Sequence, residues 1–186
     1  MASKRPLWIL AAACLAPFVA STALYYWWTP AGGQVNYGTL ITPAPIPLAG
    51  IQPIPGSPAP EQIAPGRGKW RLLVVDAAAC AQRCQDKLYA TRQSRTMTGK
   101  ERDRIERLWL VIGDGAPSPA LLVQHPDLIV ARPRAELRAA LPADANDTIY
   151  VVDPPGNLIL RYPANPDIRS LYKDLARLLF ASPRRP

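Results

Sequence analysis

Trp70-Arg71-Leu72-Leu73-Val74-Val75-Asp76, followed four residues later by Cys80-Ala81-Gln82-Arg83-Cys84, is the stretch on which the reading of this chain turns. So apolar a run reads as a buried strand. Gln82 to Thr96 is rich in helix formers and holds no Pro or Gly, so a helix is expected next, with both thiols at its start. Free amide N–H groups and the helix dipole favour thiolate there, which suits the pair to disulfide exchange or to binding a soft metal. Cys80, at the very start, is expected to gain most and to be the attacking thiol, with Cys84 one turn inside resolving the mixed disulfide. Arg83 adds a positive charge between them. A static structural disulfide is the competing reading. Against it, so short a loop restrains the unfolded chain little compared with a long one.

Working outward, strand and helix signals alternate. Leu108–Ile112 reads as a second buried strand after the charged turn around Gly99, stopped by Gly113-Asp114-Gly115. Pro117–Gln124 suits a short helix, Leu128–Val130 a short strand and Arg134–Leu141 another short helix. Thr148–Val152 and Leu158–Tyr162 flank Asp153-Pro154-Pro155-Gly156-Asn157, a hairpin signal. A last helix is expected from an Asn165 cap with Pro166 at its first position, placing Ile168, Leu171, Tyr172, Leu175, Leu178 and Leu179 on one face. Trp70 and Trp109 are most simply core. This order, with redox-type cysteines at the first strand-to-helix turn, is the layout of an α/β, thioredoxin-like domain over residues 68–186.

The N-terminus places those thiols. Lys4 and Arg5 precede Leu7–Trp28, an uncharged run of about 22 residues that can cross a bilayer core as one helix and ends in the aromatic belt Tyr25-Tyr26-Trp27-Trp28. The expectation is a cytoplasmic segment over 1–6, a transmembrane anchor over 7–28 and everything later outside, in an oxidising compartment. A signal peptide cleaved near Ser21-Thr22-Ala23 is the competitor. Cys14 reads as a small apolar residue facing lipid or a neighbouring helix. Abundant Ala, Pro and Arg point to a GC-rich bacterial genome rather than to a function; with the orientation that Lys4 and Arg5 set, the expected location is the inner membrane with the C-terminal domain in the periplasm. Residues 29–67 form a Pro-rich linker, read first as a semi-rigid spacer. Leu48, Ile51 and Ile54 leave a second reading open, in which the tract lies along the domain as an irregular edge.

The formal net charge is +8, of which about +6 lies beyond Arg5. Basic and acidic residues interleave, as in Lys100-Glu101-Arg102-Asp103-Arg104-Ile105-Glu106-Arg107, so no basic stripe marks a nucleic-acid surface. The charge suits anionic headgroups or an acidic protein partner instead. Gly113-Asp114-Gly115 lacks the later glycine of a phosphate loop, and the single histidine, His125, stands in a loop before Pro126, a poor place for a hydrolase base.

Gly68–Asp76, the C-x-x-x-C of Cys80 and Cys84, His125-Pro126-Asp127-Leu128-Ile129 and Ile149-Tyr150-Val151-Val152-Asp153-Pro154-Pro155-Gly156 fall in the order and approximate spacing of one family. The chain resembles the SCO/SenC proteins, membrane-anchored and thioredoxin-like, which assist assembly of the cytochrome c oxidase copper centre. The resemblance implies that Cys80 and Cys84 are the reactive pair and Cu(I) ligands. It also implies a client that is the oxidase copper-centre subunit or another cysteine-bearing protein. The departures shape the chemistry. The position of the family's distant histidine ligand is nearest Ala145, and His125 matches a histidine that is not a ligand there. Ala81 and Gln85 replace the usual prolines, Gln82 replaces a frequently acidic residue, and Asp147 stands before Thr148 where thioredoxins carry a cis-proline. Two thiolates without an imidazole suit Cu(I) rather than Cu(II), which tilts the expectation toward dithiol/disulfide exchange. A membrane-tethered thiol-disulfide oxidoreductase with other clients, and a non-catalytic scaffold with a static disulfide, are the alternatives; whether the chain is an enzyme stays open.

Overall fold

The structure is a computed structural model and describes residues 5–27, 36–49, 51–55 and 68–182. The chain divides into two compact units, Met1–Val35 and Asn36–Pro186. The first contains helix α1, Arg5–Trp27, within which the 20 residues Trp8–Trp27 are long and apolar enough to cross a membrane. Trp28 and the short segment before Arg5, assigned above to the anchor and to the cytoplasm, lie outside the described residues.

The second unit is built on one sheet of seven strands. In chain order its elements are β1 (Thr39–Pro45), β2 (Ile51–Pro53), β3 (Trp70–Ala77), α2 (Gln82–Met97), β4 (Ile105–Ile112), α3 (Pro119–Gln124), β5 (Leu128–Pro133), α4 (Ala135–Ala140), β6 (Thr148–Val152), β7 (Asn157–Pro163) and α5 (Ile168–Ala181). The sheet order is β1-β7-β6-β3-β4-β5-β2. β3, β4 and β5 run parallel, while β6, β7, β1 and β2 each pair antiparallel to a neighbour. β3 is therefore central, and its near-continuous apolar run follows from burial on both faces. Alternation sorts its side chains: Trp70, Leu72 and Val74 join one core with Leu88 of α2 and Leu171, Leu175 and Leu179 of α5. Leu73 and Val75 join a second core on the opposite face with Leu137 of α4, Ile46, Leu48 and Ile51.

That second core bears on the two readings left open for the Pro-rich tract, of which 36–49 and 51–55 are described. The tract is not only a spacer: it supplies β1, paired with β7, and β2, paired with β5, and so caps both edges of the sheet. Proline removes a ladder donor and is tolerated on edge strands, which is where both elements lie. Ile46 and Leu48, between them, are buried on the face that the two long helices leave open. The start of this segment is bolted down as well. Gly38 N–H donates to the buried Asp174 carboxylate of α5 at 2.8 Å, and the Tyr162 hydroxyl donates to the same oxygen at 3.1 Å. A Cβ on Gly38 would lie 2.5 Å from the Tyr162 ring, so only glycine fits there.

Two boundaries also move. β4 begins at Ile105 rather than Leu108, because Glu106 and Arg107, read as part of a charged turn, are buried with partners. Glu106 pairs with Arg71 at 3.1 Å and Lys69 at 3.2 Å; Arg107 pairs with Asp127 at 3.0 Å and donates to the Leu88 carbonyl at 2.8 Å. α5 is capped by Asp167, whose carboxylate accepts from Ser170 N–H at 2.7 Å, rather than by Asn165. A carboxylate at the N-cap reaches the third helical amide, as capping requires.

Candidate functional site

Cys80 and Cys84 are joined in a disulfide with their Cα atoms 5.0 Å apart. The two cysteines do not share the position expected of them. α2 begins at Gln82 with Ala81 as its N-cap, so Cys84 is the third helical residue whereas Cys80 stands before the cap. Cys80 adopts a φ of +42°, the left-handed region that costs a side-chain-bearing residue about 1–2 kcal/mol. Its N–H donates to the Ala77 carbonyl at 3.1 Å, closing the turn out of β3, and its own carbonyl accepts from Gln85 Nε2 at 3.0 Å. The advantage of free helix amides, expected for Cys80, therefore belongs by position to Cys84. Both residues are covered, at 2% and 1% exposure, and pack into the core between the sheet and α2.

Two ion pairs tie the surroundings together. Lys87, one turn beyond Cys84 and fully buried, pairs with Asp76 at 2.9 Å and donates to the carbonyls of Val75 at 3.0 Å and Asn146 at 2.5 Å. One ammonium thus joins the end of β3, the start of α2 and the turn before β6, and that turn borders the disulfide through Arg83. Arg83 is not left between the thiols as a bare charge. Its Nη1 lies 2.5 Å from Asp147 Oδ1, and both side chains are exposed, at 67% and 61%.

His125 is buried rather than exposed in a loop. The Arg107 guanidinium, which can only donate, lies 3.3 Å from His125 Nδ1 and makes that nitrogen an acceptor. Burial first, then the positive charges of Arg107 and Arg92, pushes the ring down to about 4, so it is neutral. Burial likewise lowers Arg107 to about 10, with Asp127 opposing the shift. Ala145, nearest the position of the distant ligand, packs in the core on the face opposite that of the cysteines. Among the described residues no three His, Cys, Asp or Glu side chains gather as a metal site. The sequence marks the cysteines as candidates but not Lys87 or the Arg83–Asp147 pair, since one lysine in a polar, Arg-rich helix carries no mark of burial.

A family model described as a transmembrane-like, thioredoxin-like, C-terminal domain matches residues 70–182. The chain belongs to that family. This thioredoxin-like domain shares its fold with solved Sco1 proteins. Sco1 of Thermus thermophilus in its apo form is 19% identical with a TM-score of 0.53, covering 80% of this chain and 99% of its own. Yeast Sco1 is 15% identical with a TM-score of 0.54, covering 82% and 100%. A copper-bound structure of yeast Sco1 is 17% identical with a TM-score of 0.51, covering 61% and 80%. No curated protein matches the chain.

Proposed function

We propose that the chain is a membrane-tethered, Sco-like assembly factor that acts through Cys80 and Cys84 by thiol–disulfide exchange. Its client, on this reading, is a cysteine-bearing protein of the cytochrome c oxidase copper-centre kind. The observation that carries it is the disulfide between cysteines four residues apart, at the strand-to-helix turn of a thioredoxin-like sheet. In the exchange a client thiolate attacks one sulfur, the Cys80–Cys84 bond breaks, and the displaced cysteine leaves as thiolate with the bonding pair. A second client thiolate then attacks the mixed disulfide, so the client is oxidised and the pair reduced; the reverse sequence reduces the client. Cys84 lies in the first turn of α2, where the helix dipole favours its sulfur as the leaving thiolate.

Cu(I) enters as cargo. Once reduced, the pair offers two soft sulfurs, while His125 Nδ1 is engaged by Arg107 and the distant position is Ala145, a donor set that suits Cu(I) and not Cu(II). α1 serves as the anchor, with the N-terminus cytoplasmic and the domain periplasmic; Lys4 and Arg5 before the apolar run support that orientation. The burial of both cysteines favours a second reading, a static disulfide.

Redox titration of the full chain in neutral detergent separates the two. A working pair should titrate well above about −300 mV and a structural one below it. The reduced chain should take up about one Cu(I), lost in Cys80→Ser or Cys84→Ser and kept in His125→Ala. Copper loss in His125→Ala would show the ligand set to be wrong.

A further inference from the structure

The disulfide is covered, yet Arg83, one of the three residues between its two cysteines, keeps 67% of its side chain at solvent. Arg83 reaches from the Cys80–Cys84 loop to Asp147, in the turn Ala145–Asp147 that leads into β6. An ion pair at solvent is weakly held, because water and salt screen it and two long side chains must be ordered to form it. Its partners can therefore be exchanged at little cost, provided the incoming group also carries a negative charge. The buried pair next to it is different. Lys87 is held by Asp76 and two carbonyls with no exposure, and its geometry does not depend on what approaches from outside.

We infer that Arg83 is a specificity-determining residue: it selects client cysteines that stand beside an Asp or Glu, with Asp147 as the built-in competitor for the guanidinium. This rests on the thiol–disulfide reading and names the client's chemistry. A client thiolate must come against the first turn of α2, where Ala81, Gln82 and Arg83 are exposed. A neighbouring carboxylate takes Arg83 from Asp147 and leaves the guanidinium paired throughout, while Lys87 still holds the start of α2 to the turn before β6. A client with Lys or Arg at that place meets Arg83 as a like charge. The net charge of +8 acts in the same direction at longer range, speeding encounter with any acidic protein. The local and the general effects differ in one respect that can be measured: only the local one depends on Arg83.

The experiment uses the full oxidised chain in neutral detergent and three blocked pentapeptides, Gly-Asp-Cys-Asp-Gly, Gly-Ser-Cys-Ser-Gly and Gly-Lys-Cys-Lys-Gly. Reduction of Cys80–Cys84 is followed by acid quench and alkylation. Each rate is divided by that of the same peptide on an uncharged small disulfide, which cancels the peptide's own thiol reactivity. At low salt the wild type should prefer the acidic over the basic peptide by about fivefold, the scale of one exposed ion pair, and the preference should fade at about 0.5 M salt. Arg83→Gln should abolish the preference, and Asp147→Asn should raise the acidic-peptide rate. Arg138→Gln, an exposed charge on α4, should leave the ratio unchanged. A preference that survives Arg83→Gln, or that Arg138→Gln reduces equally, overturns the assignment while leaving the exchange reading in place. No rise in Asp147→Asn removes Asp147 as competitor, and failure of every peptide to reduce the disulfide overturns both the assignment and the reading it rests on.

Discussion

His125 shows how a residue's surroundings set its chemistry. In sequence it is a histidine before a proline; in the fold it is covered, with Arg107 donating to its Nδ1 and Arg92 close enough to act on it electrostatically. The folded chain holds the ring neutral down to about pH 4, whereas the unfolded chain protonates it near 6.5. Between those values the unfolded state binds more protons, so stability falls as the pH drops from 6.5 and the loss levels off below about 4. One proton allows a slope of at most ~1.4 kcal/mol per pH unit. Denaturant unfolding at several pH values between 4 and 7 should show this slope in the wild type, and His125→Gln should lose that part of it. Equal slopes in the two proteins would show that the ring is not held neutral by its neighbours.

Among the elements, β3, β6 and β7 were legible because apolar runs bounded by turn residues have few alternative readings, and α2 because nothing in it breaks a helix. β4 was legible only from Leu108 on. Glu106 and Arg107 look like surface residues until Arg71 and Asp127, 35 residues before the one and 20 after the other, are brought against them. Lys87 teaches the same lesson with a testable asymmetry. Its ammonium has no exposure, whereas its partner Asp76 keeps 22% of its side chain at solvent. Asp76→Ala strands a buried charge with only two carbonyls and should cost about 3 kcal/mol; Lys87→Met leaves a carboxylate that water can reach and should cost less, about 1–2 kcal/mol. Thermal or denaturant unfolding measures both, and the reverse order would mean that Lys87 contributes chiefly through the carbonyls of Val75 and Asn146 rather than through Asp76.

At the scale of the whole molecule, the segment leading into the domain is part of it. Ile46, Leu48 and Ile51 close the second core, while β1 and β2 cover strands that would otherwise be open edges. A chain starting at Asn36 should therefore fold cooperatively, whereas one starting at Gly68 should bind hydrophobic dyes, unfold with a shallower denaturant dependence and aggregate. Equal stability of the two would return the tract to the role of spacer. The fold class, the cysteine pair and the apolar N-terminal run were all determined by sequence alone, because each rests on a local pattern: period, spacing or length. Only the tertiary structure decided that the Pro-rich tract edges the sheet, that Cys80 stands before α2 rather than in it, and that Arg83 faces Asp147. Those outcomes depend on which distant backbone and charges meet, and no local pattern records it. The physical reason is that burial and pairing belong to contacts between segments far apart in the chain, whereas propensity belongs to the residues themselves.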